Sequence, residues 1–436
     1  MTKYKDKVDL LVEYLRKSEC VRGNRRIGIE LEHFVVEAGL LEAVSYYQKG
    51  GIEDLLKAMA ERGWDPEIEG GHVLGLEGDK AGIDLEPGGQ LELSIFPQES
   101  IQTLEEIYLD FVNEVTSILD GWGNNLICLG YQPTSSVNEI PMLPKERYDY
   151  MYDYFGNKGK YAYNMMKSTC AIHVNLDYFD EEDYVKKNLV ANALSPLVYT
   201  VLDNSPFFEG KVNEEKGLRR TIWENCDPNR CGHPVGVFSK DFGYRDYAKY
   251  LLNTAPMVYK RGEELIYSKD KLLKDILLEE LDPTGEELEY LLTTVFPDVR
   301  TKGHLEIRTG DSLPYPYSFA YLCFWKGLLY NRDNLDILYE RFRNITDYKY
   351  EERKKSLNEK GVEANWEGVP VFSAYQELLR LAEQGLEPDE IDYIKPLKDL
   401  AEAENTPSGK TIEALGQDKA DALAWCIMNE VINKKE

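Results

Sequence analysis

Five short stretches of the chain alternate strictly between apolar and polar side chains, the period-two signature of strands that bury one face. In 27–36, Ile29 and Leu31 fall on one side, Glu30 and Glu32 on the other. In 83–86, Asp84 and Glu86 oppose Ile83 and Leu85, and in 90–95, Gln90, Glu92 and Ser94 oppose Leu91, Leu93 and Ile95. In 171–177, His173 and Asn175 oppose Ile172, Val174 and Leu176, while in 304–308, His304, Glu306 and Arg308 oppose Leu305 and Ile307. All five predicted strands therefore share an apolar face and a second face of carboxylates, amides, imidazoles and one arginine. Alternation of this kind predicts half-buried strands in an antiparallel sheet open on one side.

Spacings of three and four between apolar residues predict helices over 5–18, 52–62, 100–119, 183–201, 245–252, 285–292 and 318–343. The last 90 or so residues read as charged surface helices with loops around Pro370 and Pro407. Strands separated by long helical stretches, without regular βαβ units, place the chain in the α+β class. No fixed-period repeat and no Gly/Ser- or Pro-rich linker divides it. One domain over 1–436 is expected, with a helical C-terminal part from about 345.

Charge then narrows the partners. With 78 acidic against 51 basic side chains, the net charge is −27, which argues against nucleic acid and against an anionic membrane surface. No apolar run approaches the ~20 residues that span a bilayer, and the N-terminus has an amphipathic pattern without the apolar core of a signal peptide. Seven scattered cysteines fit isolated thiols better than a disulfide framework. A cytoplasmic location is expected.

The polar strand face invites a chemical reading. Solvated strand faces draw on Thr, Lys and Arg, whereas here Glu30, Glu32, Glu86, Glu92 and Glu306 come with almost no lysine between them. Carboxylates two residues apart on a strand stand about 7 Å from each other, and their repulsion calls for a cation. Oxygen ligands with at most one imidazole favour Mg²⁺ or Mn²⁺ over zinc. Such a surface is equipped to hold Mg–nucleotide, with Arg308 stabilising charge on a transferring phosphoryl group.

Other motifs fail. Gly409-Lys410-Thr411 lacks the glycine a Walker loop needs at 404, which is Glu404, so 407–411 reads as a helix-starting turn. Cys226, Cys231 and His233 have no second ligand pair nearby and read as ordinary loop residues. Arg219, Arg220, Trp223 and Arg230 crowd one loop, either as surface arginines paired with local acids or as an anion clamp for a carboxylate. Six tyrosines between Tyr148 and Tyr163 are expected to pack or to form a lid.

The segments Ile27-Gly-Ile-Glu-Leu-Glu32, Leu85-Glu-Pro-Gly-Gly-Gln-Leu-Glu-Leu-Ser94 and Cys170-Ala-Ile-His-Val-Asn-Leu-Asp177 resemble the plant and proteobacterial type of glutamate–cysteine ligase. Asn204-Ser-Pro-Phe207, Arg219 to Trp223, Asp241-Phe-Gly243, Phe296-Pro-Asp-Val-Arg300 and Leu305-Glu-Ile-Arg308 follow in the same order. The resemblance implies a glutamine-synthetase-like catalytic domain, a curved antiparallel sheet with helices on its apolar face and the active site on its concave face. It implies that ATP phosphorylates the γ-carboxylate of L-glutamate and that the amine of L-cysteine displaces the phosphate, the first step of glutathione biosynthesis. By matching positions, Glu30, Glu32, Glu86, Glu92, His173 and Glu306 would surround magnesium, and Arg308 would meet the γ-phosphate of ATP, with Glu306 and Arg308 as the catalytic pair. Arg219, with Trp223, Asn175 and Asp311, would bind substrate.

The chain departs from the plant pattern at His173, where Gln is usual, at Thr309-Gly310, and at Cys231. A γ-glutamyl ligase for another amine therefore stays open beside the cysteine-specific reading, as does a non-catalytic acidic metal-binding protein. Either a monomer or a homodimer is compatible with the sequence.

Overall fold

The computed structural model describes residues 2–433 apart from Arg22 and Gln417. Its centre is a nine-stranded sheet, whose strands we number β1 (Ile27–Glu37), β2 (Asp65–Glu69), β3 (His72–Glu77), β4 (Ala81–Leu85), β5 (Leu91–Gln98), β6 (Asn124–Ile127), β7 (Ala171–Leu176), β8 (Val299–Thr301) and β9 (Leu305–Asp311). The spatial order is β8-β9-β7-β1-β5-β4-β3-β2, with β6 paired to the second half of β1. Every pair in it is antiparallel. The α+β expectation therefore holds, and the five strands read from alternation are five of the nine.

On the apolar face Ile29, Leu31, Leu93, Val174 and Ile307 join one core with Leu104, Tyr108, Phe111 and Val115 of the helix Ile101–Asp120. That helix starts where its apolar stripe does, because the Ser100 side chain accepts a hydrogen bond from the Thr103 amide. The helices Glu181–Val201 and Tyr317–Leu329 complete this layer.

Alternation had suggested half-buried strands, and β5 does alternate in burial, but β7 and β9 are covered on both faces. All seven residues of β9 are buried, because the polar face is roofed by the helices Glu146–Phe155, Ala162–Ser168 and Leu218–Glu224. The expected 318–343 helix is broken into Tyr317–Leu329 and Arg332–Phe342, since the Asn331 side chain caps the second one by accepting from the Asn334 amide. Pro370 marks a helix start rather than a loop, ahead of Val371–Gln384, and Pro407 opens Pro407–Glu413, the helix start expected at 407–411. The C-terminal helices are not merely charged surface either: Val371, Phe372, Tyr375, Leu378 and Leu379 are buried in the common core.

Four strands of this sheet escaped the sequence reading. β2 is fully exposed and carries no alternation, yet Gly70-Gly71 between it and β3, both at positive φ, is a two-residue hairpin signal that could have revealed it. No helix among the described residues is long and apolar enough to cross a membrane.

Candidate active site

Strand register gathers the polar residues. Across the sheet Glu30 is opposite Ser94 on one side and His173 on the other, Glu32 is opposite Glu92, and Glu92 is opposite Asp84. Glu306 pairs with Asn175 and with Arg300 of β8. Ile307 pairs with Val174 but Gly310 with Ile172, so Arg308 and Thr309 together oppose His173 in a bulge. The result is a covered cavity of about 270 Å³. Five carboxylates line it (Glu30, Glu32, Asp84, Glu86, Glu92), together with five cations (Lys145, Arg147, Arg300, Lys302, Arg308). The strong net negative charge of the chain is thus locally balanced in this cavity. Met165, Met166, Trp223 and Phe296 supply an apolar wall.

Two carboxylate groups share one imidazole. One ligand atom each from Glu30, His173 and Glu306 lies within 4.8 Å of the others, and the same is true of Glu32, Glu92 and His173. His173 Nδ1 is 2.8 Å from Glu30 Oε2, whereas its Nε2 is buried without a hydrogen-bond partner, 3.5 Å from Glu32 Oε1. Burial, and then the charge of Arg308, lower its pKa to about 4. Neutral at pH 7, with one nitrogen hydrogen-bonded to a carboxylate and the other free, His173 has the arrangement that metal-ligating histidines adopt.

The two groups differ electrostatically. Burial opposes ionisation of Glu306, but Arg300, Lys302 and Arg308 overcome it and hold the carboxyl well below the usual range. Arg300 donates to both Glu306 oxygens, Nη2 at 2.9 Å, and Arg308 Nη1 donates at 3.1 Å. Glu30 is likewise held low, Lys302 and then His173 outweighing burial and the repulsion of Glu306. On the other side, burial and Glu86 raise Glu32 to about 8, and burial with Glu30, Glu86 and Glu32 pushes Glu92 well above the ordinary carboxylate value. One group is already neutralised by cations, while the other is a set of acids short of positive charge.

The EPGGQ segment is a scaffold for these acids. Glu86 donates its amide to the Gln90 carbonyl, Gly89 sits at φ +87°, and Gln90 Nε2 donates to the carbonyls of Met166 and Thr169. Gln90 therefore faces the 166–169 segment and not the cavity. A Cβ on Gly88 would lie 2.3 Å from the Lys167 carbonyl oxygen. Gly88→Ala is expected to cost about 2 kcal/mol or more, read as a lowered midpoint in urea unfolding, and to displace Glu86 from the cavity.

The remaining candidates scatter. Trp223 lines the cavity, with Arg308 and Arg219 5.6 and 5.8 Å from its ring, and Arg219 donates to the Arg308 carbonyl at 3.1 Å. Asn175 donates to Glu30 Oε1 at 2.9 Å and so acts behind it. Glu86 lines the cavity without belonging to either group. Asp311 is not brought into the cavity: its carboxylate accepts from the Asn204 amide and Ser205 Oγ, both at 2.8 Å. Arg220 and Arg230 are neither surface residues nor a clamp. Both are buried cross-links, Arg220 to the Pro196 carbonyl and Arg230 to Asp227, Thr294 and Ala255. Tyr148 is buried, lines the cavity and donates to the Leu85 carbonyl.

Sequence reasoning missed Lys302, Arg147 and Lys145. They come from the β8–β9 turn and the start of the helix Glu146–Phe155, where no periodicity points toward the sheet. Glu306 also proves to be more than a reactive group. Fully buried, it compensates Arg300, so Glu306→Ala should lose about 3–5 kcal/mol of stability as well as turnover, in contrast to Glu306→Gln, which keeps the shape. Parallel thermal unfolding of the two variants measures the difference.

The antiparallel sheet thus packs its apolar face on the core helices and carries its carboxylates on the other, under a roof of three helices. The chain belongs to glutamate–cysteine ligase family 2 (GCS2), whose pattern it matches over residues 26–422. It is 33% identical over 413 residues to the chloroplastic glutamate–cysteine ligase A of Oryza sativa subsp. indica, covering 92% of this chain and 83% of that one. Similarity to the chloroplastic glutamate–cysteine ligase of Arabidopsis thaliana is 32% over 414 residues, covering 92% and 78%. The fold resembles that of a Francisella tularensis glutamate–cysteine ligase crystallised with AMP, at a TM-score of 0.58 and 15% identity over 94% of this chain and 89% of that one. These relatives overturn the cytoplasmic expectation, because those from plants are chloroplastic. Free thiols describe any reducing compartment and do not single out the cytoplasm.

Proposed function

We infer that the chain joins the γ-carboxylate of L-glutamate to the amine of L-cysteine at the expense of ATP, giving γ-glutamylcysteine, ADP and phosphate. The observation that carries this reading is the covered cavity in which two carboxylate groups meet around His173 beside Arg308, on a chain of this family. Residues 1–436 would act as one ligase unit.

A carboxylate is a poor acyl donor, because an oxide would have to leave. Transfer of the γ-phosphoryl group gives a γ-glutamyl phosphate, from which phosphate departs when the amine attacks. The acyl phosphate must be kept from water, and the helices over the polar face supply that cover. Arg308, anchored by Glu306 and lying over Trp223, offers its remaining N–H groups to a transferring phosphoryl oxygen. Arg219 beside it would receive a substrate carboxylate.

The unpartnered His173 Nε2 and the underneutralised Glu32 and Glu92 fit a hard divalent cation, Mg²⁺ or Mn²⁺. Glu32, Glu92 and His173 would hold one ion, and Glu30, Glu306 and His173 border a second position. Bound there, such ions would screen the phosphates of the nucleotide. Incubation with ATP, Mg²⁺, glutamate and cysteine should yield ADP and γ-glutamylcysteine in equal amounts. ADP formed equally well without cysteine, or with another amine preferred, would remove the acceptor assignment.

A further inference from the structure

We propose that Lys302 is a resident counter-ion of the Glu30–Glu306 group, displaced when a divalent cation enters and then transferred to the phosphates of the nucleotide. The inference rests on the metal and nucleotide reading above and adds a role for a side chain outside every sequence motif. Lys302 lies in the tight turn between β8 and β9, where its amide donates to the His304 carbonyl. Its Nζ is 2.8 Å from Glu306 Oε1 and 3.7 Å from Glu30 Oε1. Those carboxylates also form a candidate metal group with His173. An ammonium and a divalent ion cannot share these oxygens without strong mutual repulsion, so one must yield.

Lys302 is the group built to yield. Arg300 is fixed by both Glu306 oxygens and by the carbonyls of Thr293 and Val295, and Arg308 by Glu306 and its place over Trp223. Lys302 has one short contact, a flexible four-carbon stem and a side chain that still lines the cavity. While it occupies the oxygens, it keeps the two acids from repelling each other. Once released, its charge remains in a cavity that is about to receive a polyanion.

This predicts effects of opposite sign from one substitution. Lys302→Gln removes the competitor, so Mn²⁺ binding to the nucleotide-free full chain, followed by calorimetry or electron paramagnetic resonance, should tighten about fivefold. In the same variant ADP binding at saturating Mg²⁺ should weaken about tenfold. Lys302→Arg keeps the charge and should restore ADP binding while leaving Mn²⁺ binding as weak as in the wild type. Glu306 retains Arg300 and Arg308 in both variants, and matching thermal unfolding verifies that the fold is kept. Equal affinities in Lys302→Gln and wild type, or both constants moving in the same direction, would overturn the exchange and leave the ligase reading intact. A wild-type chain that binds no Mn²⁺ would overturn the exchange and the metal reading together.

Discussion

Arg308→Lys should lower the rate of ADP formation by about 10³-fold, with an unfolding temperature within a few degrees of the wild type. Arg308 reaches the cavity because the bulge against His173 lets Arg308 and Thr309 share one partner position. Its guanidinium rests 5.6 Å from the Trp223 ring, and one nitrogen is committed to Glu306. The others are what a planar, multiply charged oxygen cluster would need, and lysine offers a point charge without that fork. Its carbonyl, which accepts from Arg219, is a main-chain atom and survives the change. The fold should therefore persist while turnover collapses. A loss of less than about tenfold would remove Arg308 from the transferring phosphoryl group.

Glu92→Gln should move stability and activity in opposite directions. Glu92 faces Glu32 on one neighbouring strand and Asp84 on the other, and its carboxyl is held well above the ordinary value by burial and by Glu30, Glu86 and Glu32. Like charges set directly across strands destabilise a sheet. Replacing one of them by a neutral isostere should raise the melting temperature of the metal-free protein by about 1 °C, corresponding to about 1 kcal/mol in a chain of this length. Ligase turnover should fall by about 10²-fold or more, since a cation held by Glu32, Glu92 and His173 would lose one of these three ligands. Unfolding in EDTA and an ADP assay on the same preparation test both signs. A variant that is less stable and still active would mean that these acids are placed for the fold and not for a cation. Acids kept in mutual repulsion where chemistry occurs are a familiar trade of stability for function.

Much of this site was legible from alternation alone. Glu30, Glu32, Glu92, His173 and Glu306 were read as one face because a strand sends every second side chain the same way, and antiparallel pairing then sets those faces side by side. What alternation cannot express is tertiary. The roof over the polar face comes from Met165, Met166 and Trp223, on helices whose own periodicity is short and ambiguous. Of the cations lining the cavity, Lys302 sits in a turn and Lys145 and Arg147 at a helix start. Asp311 keeps its spacing from Arg308, yet the loop at Asn204 and Ser205 takes up its carboxylate. Arg230 looked like part of a surface cluster, and only three-dimensional packing shows it joining Asp227 to the carbonyls of Thr294 and Ala255.

The far rim of the sheet, β2, has a bearing on how copies of the chain meet. Its five residues, Asp65-Pro-Glu-Ile-Glu69, are all exposed and end the strand order with no neighbour beyond them. A bare rim is a template on which another chain can pair. Here Pro66 removes one donor from that template, and three acids along five residues set charge against charge if two such rims approach. Growth of the sheet from this side is self-limiting. Some of the acidity that plays no part in the cavity thus guards the chain against stacking rim to rim into fibres.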